Sequence, residues 1–370
     1  MPIGEIVLHV GMHKTGTTSI QHALDGYDDG RIAYADLKIP RNRTPNHGVA
    51  LETIFRSDFE NTPHHRKFSR TPDVIRGFRA GFAARLDQQL ALDRETLILC
   101  GEAIPRLKAD ELAALHAKLR TATERVTIYV YLRDPVGFCS SMFQQQCKSP
   151  VNMARPKVPG PGYRRKFQKF IDAFGATNVR FVLYDRDTLR DGSSVADFAM
   201  RLGIPNLPQA ARVNTGLSAD ATRCLYILRT ACGIDFTQND ARIALRAVVK
   251  LLETGMTGPA FRLPEAAVAS VVPAPDVAWV NDVSGASFIV PAGEMSAEAL
   301  HDDLSRISET GQQQLTALVA ATGQRPEPGA APADLVRLLF AASLKSARGK
   351  AWLARIMDIV AARFVAPGSA

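Results

Sequence analysis

The chain has 370 residues, 46% apolar and 22% charged. That balance excludes a disordered or fibrous protein and gives room for one large α/β domain or two smaller ones. The formal net charge is +8 and the pI near 9.4, which favours an anionic partner.

No run approaches the ~20 apolar residues that span a bilayer. The opening "MPIGEIVLHVG" has neither a basic leader nor a cleavable apolar core, so a cytoplasmic protein is expected. Cys100, Cys139, Cys147, Cys224 and Cys232 form no CxxC pair. Two pairs are spaced eight apart, two helical turns, which suits core packing better than ligation.

In chain order, β-branched runs alternate with helical patterns up to about residue 205. Strands are predicted at 5–10, 96–100, 126–132 and 179–184. Each is a continuous apolar run, as in strands buried on both faces of a parallel sheet. Helices are predicted at 17–25, 108–121, 135–147, 163–174 and 194–203. Residues 31–95 read as an insertion rich in Arg, His, Pro and Asn, helical over 73–92. Beyond 206 the pattern is helical, at 217–232, 238–254, 296–322, 333–346 and 349–363. "PAPD" (273–276) and "GQRPEPGAAPAD" (323–334) read as loops. The fold class expected is α/β: an open parallel sheet flanked by helices, with ligands at the C-terminal strand ends. A core over 1–205 would carry a helical C-terminal elaboration over 206–370 in the same domain; a separate helical domain is the alternative.

Three elements carry chemistry. The first is "HVGMHKTGTTS" (9–19). Gly11 lets the chain turn off its strand, Gly16 lets backbone approach an anion, and the next helix aims its N–H groups at the same point. Thr17 and Thr18 stand where a nucleotide triphosphatase has Lys-Ser/Thr, so the usual β/γ-phosphate lysine is absent. Lys14 projects from mid-loop instead, and Thr18 keeps a hydroxyl where Mg²⁺ would be held. The second is "VYLRDPVGFCSSMF" (130–143). Arg133 ends a strand, Asp134 and Pro135 suit a helix start, and Ser141 lies about two turns in. Arg133 and Ser141 offer a charge-assisted and a neutral donor to a second phosphate. The third is "LILCGEAIPRL" (97–107), where Glu102 follows a strand end and suits a general base.

"GMHKTGTTSIQ" followed by "YLRDPVGFCSS" resembles the paired motifs of sulfotransferases that use 3′-phosphoadenosine-5′-phosphosulfate (PAPS). A later "FVLYDRDTL" and a helix ending "RLGIP" are similar as well, so the likeness covers roughly the first 205 residues. It implies a P-loop NTPase-like sheet and transfer of a sulfuryl group to a hydroxyl of a carbohydrate or glycolipid. By that resemblance Lys14, Thr15, Gly16, Thr17, Thr18 and Ser19 wrap the 5′ group. Arg133 and Ser141 hold the 3′-phosphate, with Ser140 as the register alternative. Carbohydrate members use a glutamate after the corresponding strand and phenol types a histidine, so Glu102 is the expected base. A 3′,5′-substituted donor needs two anion sites. Sulfuryl transfer moves a group of low charge, so no metal is expected and Lys14 takes its place near the bridging oxygen.

Other candidates weigh less. His9 reads as a core residue, His13 as a sulfuryl contact or a turn former, and His47, His64 and His65 as structural or acceptor-facing. Asp185 is the best feature of the alternative, a Mg-dependent P-loop small-molecule kinase. Between Asp134 and Asp172 stand Lys148, Arg155, Lys157, Arg164, Arg165, Lys166 and Lys169 with no acid. With "HHRKFSR" (64–70) they point to a focused anion site. Residues 148–166 would suit an acidic glycan, or a lipid-linked acceptor through peripheral membrane contact. A third reading is a nucleic-acid or membrane-binding module using this charge; few aromatics stand among these cations, which speaks against single-strand stacking, and no nucleic-acid partner is expected.

Overall fold

The computed structural model describes residues 3–150, 157–205, 207, 216–236 and 238–347. Among them five strands form one sheet: β1 (Ile3–His9), β2 (Ile32–Tyr34), β3 (Arg94–Cys100), β4 (Val126–Leu132) and β5 (Val179–Leu183). The order is β2-β3-β1-β4-β5, parallel throughout. The helices between and after them are α1 (Thr17–Leu24), α2 (Gly48–Phe55), α3 (Pro63–Lys67), α4 (Pro72–Leu90), α5 (Ala109–Arg120), α6 (Pro135–Lys148), α7 (Tyr163–Phe174) and α8 (Ser194–Leu202). The C-terminal part is helical: α9 (Ala219–Ala231), α10 (Asn239–Gly255), α11 (Glu265–Ala269), α12 (Ala274–Ser284), α13 (Ala297–Leu304), α14 (Glu309–Ala321) and α15 (Pro332–Ala347). Among the described residues no helix is long and apolar enough to cross a membrane. All five cysteines are free.

Two compact units share the chain: Met1–Asp134, Gly162–Val213 and Pro273–Ile289 form the first, and Pro135–Pro161, Asn214–Val272 and Val290–Ala370 the second. In the first, successive strand residues point to opposite faces of the sheet. Val7, Ile98, Cys100, Tyr129, Tyr131 and Val182 join Ile20 and Leu24 of α1 and Val195 and Phe198 of α8 in one core. Ile6, Leu8, Leu97, Leu99, Ile128 and Val130 are equally buried, which is why these strands read as unbroken apolar runs. Burial of each such side chain contributes about 1.5–3 kcal/mol. The second unit is built on leucine and valine faces, with α10 and α9 against α15, and α14 against α15.

Several expectations need correction. The stretch 31–95 holds strand β2 and helices α2 and α3 besides the predicted α4. "PAPD" is not a loop but the start of α12, with Pro273 at its N-cap. Asp276 then accepts the N–H groups of Tyr163 and Arg164, both at 2.8 Å. It thereby caps α7, whose own N-cap, Gly162, has no side chain to do so. The single helix at 296–322 is two. Ser308 caps α14 by accepting from Gly311 N–H at 3.0 Å, and its own N–H donates to Asp220 at 3.0 Å. The helix predicted at 349–363 lies outside the described residues.

Candidate functional site

Register places the three motifs on one sheet edge. His9 of β1 pairs with Cys100 of β3 and Tyr129 of β4. The loop after β1, the turn carrying Glu102 and the end of β4 carrying Arg133 therefore emerge together. From β1 the chain leaves toward β2 and β3; from β4 it leaves toward β5. Adjacent strands whose connections part in this way open a crevice at their C-terminal ends.

The loop is built on backbone that most residues avoid. Lys14 has φ of 69° and Gly16 φ of 80°, both left-handed. A side chain at Gly16 would be strained there and would also run into Ser194 Oγ, with Ser194 Cβ at 2.9 Å. Gly16 is the N-cap of α1 and supplies no side-chain bond to it, so the first N–H groups of that helix are left for an anion. Of the predicted loop set, Lys14 and Thr18 are exposed and Ser19 half-buried. Thr15 and Thr17 turn inward. Thr15 Oγ1 donates to the Met12 carbonyl at 2.7 Å, and Thr17 Oγ1 is buried with no hydrogen-bond partner. What these two offer a ligand from the loop is backbone N–H.

Beneath the loop, a Cβ on Gly11 would stand 2.9 Å from both Thr15 Oγ1 and Thr17 Oγ1 and 3.1 Å from His9 Nε2. His9 is fully buried, with Nδ1 2.9 Å from Cys100 Sγ. Burial lowers its pKa to about 3, against an opposing pull from the Glu102 charge, so the ring is neutral. His9 is thus a core residue, as its place in the strand suggests.

Arg133 is held against the loop. Its Nη1 donates to the Lys14 carbonyl at 3.2 Å, and its guanidinium lies 5.8 Å from the Tyr184 ring centroid. Its carbonyl accepts from the buried Tyr163 hydroxyl at 2.6 Å. Tyr163 escaped the sequence reading because it opens a basic helix thirty residues away. Arg133 belongs to the first unit, and Ser140 and Ser141 to the second. Ser140 is committed to its own unit: Oγ donates to the Val136 carbonyl at 2.7 Å and accepts from Leu263 N–H at 2.9 Å. Ser141 is half-buried.

Glu102 follows β3 directly. Its Oε2 lies 3.1 Å from His13 Nδ1, joining the loop to the neighbouring strand end. Burial pushes the Glu102 carboxyl up, but His13, and beyond it the charges of Arg106 and Lys14, outweigh burial and hold it below the ordinary carboxylate range. Arg106 stands within the quoted motif but was not singled out. His47 fastens this turn: its Nδ1 accepts from Cys100 N–H, and its N–H donates to the Cys100 carbonyl, both at 3.0 Å. Its ring stacks on Tyr34 at 4.5 Å, and burial lowers its pKa to about 4.

Much of the basic sequence serves the fold. Lys169 Nζ donates to the Pro105 carbonyl at 2.6 Å and to that of Leu107, and burial lowers its pKa. Lys148 lies 4.0 Å from Glu253. In 64–70, His65 is buried between Thr53 Oγ1 at 3.0 Å and Arg70 Nη1 at 3.1 Å. Arg70 also covers the Phe78 ring at 4.3 Å. Arg155 lies outside the described residues. Asp185 is exposed, and its Oδ1 accepts from Asp187 N–H at 3.1 Å in a tight turn.

Comparison of the chain with protein-family models, with curated proteins and with solved structures finds no match in any of the three.

Proposed function

We propose that the first unit is a nucleotide-dependent group-transfer domain of P-loop NTPase-like build. Within that class we read it as a PAPS-dependent sulfotransferase acting on a hydroxyl of a carbohydrate or glycolipid. The observation that carries this reading is the contact of Arg133 with the Lys14 carbonyl at 3.2 Å. It sets a cation from β4 beside a strained loop from β1, as a nucleotide charged at both 3′ and 5′ requires.

The residues suit such a donor, which when bound supplies an activated sulfuryl group. Backbone N–H groups of 14–19 at the uncapped start of α1 take the 5′ end. Arg133 takes the 3′-phosphate through charge-assisted hydrogen bonds. Lys14 places a positive charge where the leaving oxygen gains a negative one. The Glu102 side of the crevice supplies the base. Asp185, the best feature of the kinase alternative, is exposed with its Oδ1 accepting from Asp187 N–H.

Calorimetric titration with adenosine 3′,5′-bisphosphate beside ADP, with and without Mg²⁺, tests the reading. The bisphosphate is expected to bind at least about tenfold tighter, a difference of about 1.4 kcal/mol, and indifferently to Mg²⁺. Tighter, Mg-dependent binding of ADP would hand the site to a kinase.

A further inference from the structure

Glu102 has the right position for a base, but the side chain nearest to it lies in the loop. His13 Nδ1 and Glu102 Oε2 are 3.1 Å apart, and the two side chains are 32% and 29% exposed. Among the described residues the imidazole has no other polar partner. A histidine whose Nδ1 faces a carboxylate carries its proton there and leaves Nε2 as a lone pair. Nε2 is thus the atom of this pair able to accept a proton beside Lys14.

We infer that His13 removes the proton from the acceptor hydroxyl and that Glu102 is its positioning partner, fixing the tautomer and steadying the imidazolium. The inference rests on the sulfotransferase reading. As the acceptor oxygen forms its bond to sulfur, its proton passes to His13 Nε2. The electron pair of the broken S–O bond stays on the departing 5′-phosphate oxygen, next to Lys14. The proton ends on a ring beside a carboxylate, so no charge is left alone.

Two further facts support this division of roles. A general base works best with a pKa near the working pH, and Glu102 is held below the ordinary carboxylate range by His13, Arg106 and Lys14. That is unfavourable for a base and favourable for an orienting anion. A second imidazole beneath the loop, His9, is buried and neutral and already faces Cys100, so it does not compete for the proton.

The test uses the full chain and PAPS alone, with water as acceptor, reading single-turnover release of adenosine 3′,5′-bisphosphate. Calorimetry with that bisphosphate confirms that each variant is folded and binds. His13→Asn should slow release about 10²-fold or more, the usual range for a lost base. Glu102→Gln should be comparably slow, because its amide donates to Nδ1 and moves the ring proton to Nε2. Glu102→Ala, which unpins the ring without forcing that tautomer, should be slowed only about tenfold. The double variant His13→Asn/Glu102→Ala should be no slower than His13→Asn. Long-range ¹H–¹⁵N spectra of the imidazoles should show the Nδ1–H tautomer for His13 in the wild type and its loss in Glu102→Gln. Near-normal release by His13→Asn with both Glu102 variants equally dead would make Glu102 the base and overturn the inference. An Nε2–H tautomer in the wild type would do the same. If the wild type neither binds the bisphosphate nor releases it from PAPS, the sulfotransferase reading falls, and the inference falls with it.

Discussion

The loop after β1 and the basic segments at 64–70 and 148–169 look alike on paper, since each is a cluster of cations beside turn formers. In the fold they differ. Lys14 sits exposed on left-handed backbone at the mouth of a crevice. Lys169 and Arg70 are folded onto carbonyls, an imidazole and aromatic rings of their own unit. Positive charge in a sequence therefore does not locate an anion site. What sets the loop after β1 apart is left-handed backbone leading straight into a helix start that no side chain caps; Ser69 in 64–70 is left-handed too, but α3 is capped by Thr62 and α7 by Asp276.

The strongest way to break this comparison is Lys14→Ala. If Lys14 stabilises the leaving oxygen, its loss should lower sulfuryl release from PAPS at least about 10³-fold, or about 4 kcal/mol of transition-state stabilisation. The urea midpoint should be unchanged, since Lys14 is exposed. Turnover that survives would reduce the loop to one more basic turn.

Gly16→Ala probes the backbone instead of the charge. The substitution combines a φ of 80° with a Cβ that collides with Ser194. We expect a loss of about 2–4 kcal/mol in urea unfolding, the sum of left-handed strain and overpacking. Adding Ser194→Ala should recover part of it, because the hydroxyl clash goes while Ser194 Cβ and the φ remain. A neutral Gly16→Ala would show that the loop is pliable and its conformation no indicator of a site.

How far the sequence spoke depended on how local each feature is. β1, β3 and β4 were legible because burial on both faces leaves an apolar run; β5, at the sheet edge with Arg180 exposed, was legible from its β-branched and aromatic residues. β2 was not, since Ile32–Tyr34 is too short for any period to show. Pro275 and Asp276 read as turn residues, but the same pair suits a first helical turn. Lys14, Glu102 and Arg133 could be named because each follows a strand end within a short motif. Their partners could not. His13 meets Glu102, and Tyr163 meets Arg133, only through sheet register and helix docking, which no spacing in the chain encodes. Whether a lysine meets a ligand or a carbonyl is likewise decided by tertiary neighbours, as the Pro105 and Leu107 carbonyls that hold Lys169 show.

Lys169→Met gives the smallest effect and the sharpest contrast with Lys14. Its ammonium donates to the Pro105 and Leu107 carbonyls, on either side of Arg106. Methionine keeps most of the apolar stem but removes the donors, leaving two carbonyls to find other partners. One to two lost charge-assisted bonds should cost about 1–3 kcal/mol of stability, read as a lower urea midpoint. Affinity for adenosine 3′,5′-bisphosphate should stay within about twofold, under about 0.5 kcal/mol, because Lys169 bonds the turn after Glu102 and not the loop of Lys14. The opposite pattern, an unchanged midpoint with weakened binding, would mean that the cations of 148–169 do gather around an anion. Lys169 would then have to leave those carbonyls when the ligand arrives.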